Sequence, residues 1–217
     1  MTAPADEIPT AAIRVIAATG EHVAGMAGCH GACFPDQFTS RMGGAYARAF
    51  YRAYIDDPEG IAFVAREERT GKILGQVAGG RPGIRSDFLA RASGRFFLRL
   101  AAKAVTDGVV RRALFNKLFG RRLSSQKREQ RDDGAQPWLN ENRPALLQVI
   151  CLLPQGRGTG AAGGLMEAFA EACRSRGYEV MFLPVFISNE RAIAFYRKHG
   201  WQLAQQTGDS MIMKRSV

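Results

Sequence analysis

The chain has 217 residues and is 46% hydrophobic, which is enough to bury a core, and we expect a single domain spanning residues 1–217. A formal net charge of +10 arises from 30 Lys and Arg against 20 Asp and Glu. The opening MTAPADEIPT has no apolar run, and no later stretch approaches the roughly 20 apolar residues of a membrane-spanning helix. We therefore expect a cytoplasmic protein.

The first part of the chain predicts a strand, two helices and a hairpin. Residues 13–18 alternate as a short strand, and residues 21–33 and 41–56 have apolar side chains at helical spacing. The apolar runs 61–66 and 73–77 flank a polar segment that contains glycine, as the two strands of a hairpin do. We expect these two strands to be adjacent and antiparallel.

Residues 81–142 are expected to form a basic helical insertion between the third and fourth strands. Residues 81–131 include fourteen Lys or Arg and three acids, so 14 − 3 gives this segment a charge of +11 and leaves the rest nearly neutral. Helices are predicted over residues 88–105 and 109–119. In the first, four basic residues recur at intervals of four and should form one cationic ridge: Arg91, Arg95, Arg99 and Lys103.

The last part of the chain predicts further alternation of strands and helices. Residues 144–153 are a continuous apolar run, typical of a buried strand, which a glycine-rich turn follows. A helix over residues 163–176, a strand over 178–185 and a helix over 190–199 come next. Strands over 201–206 and 210–214 should close the chain as a hairpin.

The chain has four cysteines: Cys29, Cys33, Cys151 and Cys173. They lack the paired C-x-x-C spacing of zinc-binding and redox motifs, and two of them lie in apolar segments, where cysteine behaves as a small hydrophobic residue. Their spacing therefore indicates neither a metal site nor a disulfide framework.

The segment PQGRGTGAAGG, between the buried strand and the next helix, is suited to hold a phosphate group. In such a turn, successive backbone N–H groups and the helix N-terminus point at one spot. Glycines let the backbone approach a ligand closely, and Arg157 adds a positive charge at the rim. The alternative is a tight strand-to-helix turn that binds nothing.

The glycines also leave a dinucleotide-binding oxidoreductase as an alternative function, because Gly158, Gly160 and Gly163 satisfy G-x-G-x-x-G. That fold needs further strand–helix units and an acidic residue about 20 positions on. Only 54 residues follow Gly163, and the next strand, VMFLPV, ends without an acid. A mononucleotide P-loop needs Lys and then Ser or Thr after its last glycine, and Gly164 is followed by leucine. Both nucleotide interpretations are disfavoured.

The same loop resembles the pyrophosphate-binding loop of the GCN5-related N-acetyltransferase (GNAT) superfamily, (Gln or Arg)-x-x-Gly-x-(Gly or Ala). Arg157, Gly160 and Ala162 fit this pattern, and a second register from Gln155 fits the same letters. We prefer the first register because it places two apolar residues on the paired positions of the following helix. The resemblance implies that acetyl-CoA is the cosubstrate and that six residues hold its pyrophosphate: Arg157, Gly158, Thr159, Gly160, Ala161 and Ala162.

The segment SNERAIAFYRKHGW resembles the second cofactor-binding motif of this superfamily. The resemblance implies that Asn189 contacts the pantetheine arm and that Tyr196 contacts the cofactor and protonates the departing thiolate as a general acid. It also implies that backbone groups of the fourth strand, at Ile150, Cys151 and Leu152, reach the pantetheine and the thioester oxygen. For Tyr196 the alternative is an aromatic residue that packs one face of a short helix.

The general base has no assigned residue, because two positions at which many relatives carry a carboxylate hold Pro184 and Gln148. The proton of an ammonium substrate must then pass to water or to a residue of the N-terminal half. That half offers four candidates, and we assign a catalytic role to none of them: His30, Asp36, Glu67 and Glu68.

The N-terminal helices lie where the superfamily builds its acceptor pocket. Their aromatic residues could line that pocket or hold the helices in place, and core packing is the preferred interpretation for most of them: Phe34, Phe38, Tyr46, Phe50 and Tyr51.

The resemblance implies an α/β fold with a mixed, largely antiparallel sheet of six or seven strands, helices on both faces, and a splay between strands 4 and 5. The implied function is acetyl transfer from acetyl-CoA to a primary amine of a small molecule.

The basic insertion is interpreted as a solvated helical face. Its other interpretations are a positive wall for an acidic acceptor and a peripheral contact of residues 85–122 with anionic lipid, while nucleic-acid binding is disfavoured. A non-catalytic membrane- or partner-binding module, acting through the insertion, is the second alternative function.

Overall fold

The computed structural model describes residues 12–108, 110–112 and 137–217. Seven strands form one sheet: β1 Ile13–Ala17, β2 Gly60–Glu67, β3 Ile73–Gly80, β4 Pro144–Leu152, β5 Val180–Phe186, β6 Gln202–Thr207 and β7 Ser210–Ser216. Seven helices lie wholly within the described residues: α1 Val23–Cys33, α2 Phe38–Arg41, α3 Gly44–Asp56, α4 Ile84–Arg95, α5 Phe97–Thr106, α6 Ala161–Ser175 and α7 Glu190–Lys198. No helix among the described residues is long and apolar enough to span a membrane.

The sheet splays between β4 and β5, as predicted. Its strand order is β1-β2-β3-β4-β5-β7-β6, and β4 and β5 are its one parallel pair. They pair only from Pro144 to Leu146 of β4, opposite Val180 to Phe182 of β5. Beyond Leu146, β4 continues along β3 to Leu152, while β5 pairs with β7 along its whole length. A gap between the two strands therefore opens toward their C-terminal ends.

A β-bulge in β4 lies at the start of this gap. Ala78 of β3 pairs with Val149, but the next residue, Gly79, pairs with Leu147, so Gln148 is the extra residue. Because side chains alternate with a period of two, one extra residue reverses the facing of every residue after it. Leu147 therefore faces the same core as Ile150, while Val149 faces the opposite one.

Two hydrophobic cores cover the two faces of the sheet. One contains Leu165 and Phe169 of α6 together with α7, and the other contains side chains of α1, α3 and α4. Glycines in β3 allow α6 to approach closely, since a Cβ atom at Gly79 would lie 2.7 Å from the Phe169 ring. This close approach fixes the position of the N-terminus of α6 and of the glycine-rich loop before it.

One of the predicted helices is found nearly as expected, and another is divided in two. The helix predicted over residues 41–56 is α3 Gly44–Asp56, and Arg41 instead ends the short helix α2, because Gly43, with φ of 89°, lies outside the helical region. The helix predicted over 88–105 is α4 and α5, separated by Phe96 at φ −107°, ψ 12°. The prediction of one cationic ridge on a single helix is therefore wrong, because its four residues divide between α4 (Arg91, Arg95) and α5 (Arg99, Lys103).

Both helices lie between β3 and β4, where the basic insertion was predicted. The second helix predicted there, over residues 109–119, falls largely outside the described residues. The extent of the insertion, residues 81–142, stays a prediction.

Candidate active site

The glycine-rich loop connects β4 to α6 and presents open backbone to solvent. Gly158 and Gly160 have φ of 78° and 82°, backbone angles that residues with a Cβ atom rarely adopt. A Cβ atom at either position would meet no other atom within 4 Å. The Thr159 hydroxyl donates to the Gly156 carbonyl at 2.7 Å and so fixes the shape of the loop. Residues 157–160 are exposed. A ligand can approach the backbone of this loop without displacing protein atoms.

The N-terminus of α6 follows this loop directly. Helix α6 begins at Ala161, with Gly160 as its N-cap residue. The first N–H groups of a helix have no partner within the helix, and the helix dipole adds partial positive charge there. Together with the Arg157 side chain, this end suits a pyrophosphate better than any neutral group.

Helix α7 places the second predicted motif beside the first. Asn189 is its exposed N-cap residue, and its Oδ1 accepts the N–H of Ala192 at 3.2 Å. At the other end, a Cβ atom at Gly163 would lie 3.3 Å from Nε2 of His199. The C-terminal turn of α7 therefore lies against the first turn of α6. The structure thus brings the two motifs together.

The gap between β4 and β5 leads away from this loop. Along it, Ile150, Cys151 and Leu152 pair on one side with Val77, Gln76 and Gly75 of β3. Successive residues of a strand direct their backbone groups to opposite edges, so part of this backbone faces the gap. The three predicted cofactor-binding residues of β4 are therefore placed where an extended ligand could add hydrogen bonds.

Residues 126–201 match the sequence model of the Acetyltransferase (GNAT) family. The stretch that contains both motifs is thus similar to GNAT acetyltransferases. The family uses acetyl-CoA as acyl donor, which agrees with the loop, the helix N-terminus and the gap. The resemblance stated from the two motifs is thereby confirmed.

Solved structures share this GNAT fold over nearly the whole chain. SsHAT is 20% identical and covers 94% of this chain and 98% of its own, with a TM-score of 0.62. The PaiA N-acetyltransferase of Thermoplasma acidophilum, in complex with coenzyme A, is 10% identical; the match covers 95% of this chain and 99% of that one, with a TM-score of 0.57. The ribosomal-protein-S18-alanine N-acetyltransferase of Escherichia coli is 12% identical; the match covers 95% of this chain and 94% of that one, with a TM-score of 0.56. At these identities the likeness concerns the fold alone. None of the curated protein sequences matches the chain significantly.

Tyr196 lies in the core that contains α6 and α7. It is 8% exposed and contacts Phe195 and Trp201, with ring centroids 5.7 Å and 6.1 Å away. Burial raises the pKa of Tyr196 to about 12, and the nearby Cys151 thiol contributes in the same direction. The phenol therefore stays protonated at neutral pH and can donate a hydrogen bond. Its packing role and the predicted acid role are compatible.

A cavity of about 400 Å³ lies at the end of the gap, where residues of the α1–α2 region, α3, β4 and β5 converge. Gln148 and Pro184, the two positions without a carboxylate, both line it. Of the five aromatic residues predicted for this region, Phe38 and Phe50 line the cavity, whereas Phe34, Tyr46 and Tyr51 pack in the adjacent core. Among the described residues that line it, Arg85 is the only charged side chain.

His30 is the only one of the four proposed base candidates that lines this cavity. Asp36 and Glu68 are exposed, and Asp36 pairs with Arg41, while Glu67 accepts a hydrogen bond from Thr70. The other candidates therefore have ordinary surface roles, as the sequence suggested.

The His30 ring is buried and held by a hydrogen-bond chain. It is 1% exposed, and its Nδ1 lies 2.6 Å from the Tyr51 hydroxyl, which accepts a hydrogen bond from Gln76 Nε2 at 2.6 Å. Burial lowers the pKa of His30 to about 4, so the ring is neutral at pH 7. Its Nε2 has no hydrogen-bond partner among the described residues. Sequence reasoning could not single it out, because Tyr51 and Gln76 are distant in the chain.

Three of the four cysteines meet beside this chain of hydrogen bonds. The sulfur atoms of Cys29, Cys33 and Cys151 all lie within 4.8 Å of one another. Cys173 is buried in the opposite core. The spacing of the cysteines in the sequence gave no sign of this cluster.

Proposed function

We propose that this protein transfers the acetyl group of acetyl-CoA to a primary amine of a small molecule that also carries an anionic group. The gap between β4 and β5 carries the proposal, since the exposed glycine-rich loop lies at one end of it and a partly open cavity at the other. In this arrangement residues 157–162 hold the pyrophosphate. The pantetheine follows residues 150–152 and Asn189, and the thioester reaches the gap near Tyr196.

The reaction forms a C–N bond and breaks a C–S bond, so the amine must lose protons and the sulfur must gain one. Tyr196 acts on the departing sulfur. Its phenol, with a pKa of about 12, is a weaker acid than a thiol of roughly 8.5, so complete transfer of its proton is unfavourable. We therefore assign Tyr196 a hydrogen bond that stabilises negative charge on the departing sulfur, with the final proton coming from solvent.

On the acceptor side, His30 orients the amine. In the tautomer that this role requires, Nδ1–H donates to the Tyr51 hydroxyl, and the unpartnered Nε2 is an acceptor for an N–H of the attacking amine. The ring is a weak base, so the amine must reach the site neutral, after losing its ammonium proton to water. The role of His30 is to aim the nitrogen lone pair at the thioester carbon.

The charge of the cavity selects the acceptor class. Arg85 supplies a positive charge, and no carboxylate is present among the described lining residues to balance a second cation. A polyamine or a lysine-rich peptide would bring further positive charge into this cavity and be repelled. A primary amine with a carboxylate or phosphate would pair with the Arg85 guanidinium.

The test compares paired acceptors by mass spectrometry of the acetylated product. Each anionic amine, such as an amino-sugar phosphate or an amino acid, is measured against its neutral alcohol or amide. We expect a higher kcat/KM for the anionic member of each pair, and Arg85→Gln should remove that preference. Arg69→Gln, on the exposed β2–β3 turn, is the control and should leave the preference intact. Equal rates for both members, or a preference for polyamines, would contradict the acceptor class.

A further inference from the structure

Two elements that are distant in sequence bring three thiols to one point. Cys29 and Cys33 are one helical turn apart on α1, and Cys151 lies on β4, 122 residues after Cys29. We propose that these three cysteines form a binding site for a thiophilic divalent cation of the zinc class. The proposed metal ligand at Cys151 is its side-chain sulfur, whereas only the backbone of that residue is proposed to contact acetyl-CoA, and the metal site does not depend on the proposed acceptor.

The sulfur spacing fits such an ion. A zinc ion bonds thiolate sulfur at about 2.3 Å, so two sulfurs of a tetrahedral site lie about 3.8 Å apart. The Cys29 and Cys151 sulfurs are already 3.9 Å apart, and all three lie within 4.8 Å. Closing the remaining spacing requires sulfur movements of less than about 1 Å, which a change of side-chain torsion supplies without moving the backbone.

The surroundings of the cluster provide support and access. Gln76 Nε2 lies 3.5 Å from the Cys151 sulfur, and its hydrogen bond to Tyr51 fixes its orientation. Amide donors at this distance are the usual outer partners of metal-bound thiolates. Cys29 and Cys151 are buried, whereas Cys33 is partly exposed and gives an ion a route inward. A water molecule can supply the fourth ligand from that side, as in zinc sites with three protein ligands.

A disulfide is the competing chemistry for this cluster. It would join only two of the sulfurs, bring them from 3.9 Å to about 2.05 Å, and leave the third thiol unused. It would also need an oxidant. A cation can be coordinated by all three thiols, whereas one S–S bond uses only two of them. The convergence of three thiols therefore favours a cation.

The experiment titrates the full-length protein, kept reduced with a phosphine, with Zn²⁺ and with Cd²⁺. Cd²⁺ bound by thiolates gives a ligand-to-metal charge-transfer absorption in the ultraviolet, which reports the ligands directly. We expect one ion per chain, the charge-transfer band, and a thermal unfolding temperature that rises with Zn²⁺. Cys33→Ser should weaken Cd²⁺ binding by at least about tenfold, because it removes one of three thiolates.

A matched control uses the fourth cysteine. Cys173→Ala, in the opposite core, should retain the band and the stoichiometry of the unsubstituted protein. The unfolding temperature of metal-free Cys33→Ser reports whether this partly exposed position tolerates serine, and we expect it to equal that of the metal-free unsubstituted protein. The proposal is overturned if Cd²⁺ binding is equal in Cys33→Ser and the unsubstituted protein. It is also overturned if mild peroxide removes two thiols as a disulfide from protein that binds no ion.

Discussion

Alanine substitution in the glycine-rich loop can distinguish a loss of ligand contacts from the effect of backbone strain. Gly160 precedes α6 with φ of 82°, and Gly177 follows the same helix with φ of 71°. In Gly160→Ala the new Cβ atom meets no protein atom within 4 Å, and in Gly177→Ala its nearest neighbour is Arg143 Nε at 3.8 Å. The two substitutions therefore impose the same kind of backbone strain on opposite ends of one helix, but only Gly160 lies in the proposed pyrophosphate site.

The expected magnitudes follow from this geometry. A left-handed conformation costs a residue with a Cβ atom about 1–2 kcal/mol, so both variants should unfold roughly 2–8 °C lower than the unsubstituted protein. In Gly160→Ala the methyl group also occupies space from which a phosphate must approach the loop. Loss of one hydrogen bond to a charged oxygen costs about 1.5–3 kcal/mol, which is about a tenfold to hundredfold rise in the Kd of acetyl-CoA.

The assay combines calorimetric titration with acetyl-CoA and thermal unfolding of the three proteins. We expect equal losses of stability and a loss of affinity in Gly160→Ala alone. Unchanged affinity in Gly160→Ala would refute the placement of the pyrophosphate on this loop. An equal loss of affinity in Gly177→Ala would show that helix strain, rather than contact with the ligand, explains the effect.

Three further predictions test the site and the fold. Tyr196→Phe should lower kcat by roughly 10²-fold at unchanged KM for acetyl-CoA. In the unsubstituted protein, the pKa of about 12 keeps this phenol protonated, so its ionisation should not lower kcat as the pH rises to about 10. His30→Phe should lower kcat/KM for the acceptor about tenfold, and His30→Gln, which keeps an acceptor atom, should lose less in the same steady-state assay. In denaturant unfolding, Gly79→Ala should lose at least about 1–3 kcal/mol, since its Cβ atom would lie 2.3 Å from the Leu146 carbonyl oxygen. Gly28→Ala, with open space around it in α1, should instead gain about 0.5–1 kcal/mol.

The sequence predicts those features of the fold that depend on neighbouring residues. Hydrophobic periodicity and glycines located β4, the loop and α6, because a buried strand, a left-handed glycine and an amphipathic helix each follow from local sequence. The same local reasoning missed the break at Phe96, since neither Gly nor Pro is present at that residue. The nearest helix-weakening residue is Gly94, two positions earlier, and the apolar spacing continues through the break.

The acceptor cavity could be predicted only in outline. The sequence showed that Gln148 and Pro184 stand where carboxylates are common, and it named His30 among the candidate bases. It could not show that His30 is buried with a free Nε2, because that depends on Tyr51 and Gln76, which reach it from α3 and β3. Hydrogen-bond chains between distant elements leave no periodic pattern in a sequence.

The bulge at Gln148 connects the cofactor gap with the cysteine cluster. Up to Leu147, the odd-numbered residues of β4 face the core of α6, and without the extra residue Cys151 would face it as well. The bulge turns Cys151 to the opposite face, toward Cys29 and α1, and it lies two residues after Leu146, the last residue that pairs with β5. One additional residue thus marks where the sheet opens for the cofactor and decides which core receives the thiol.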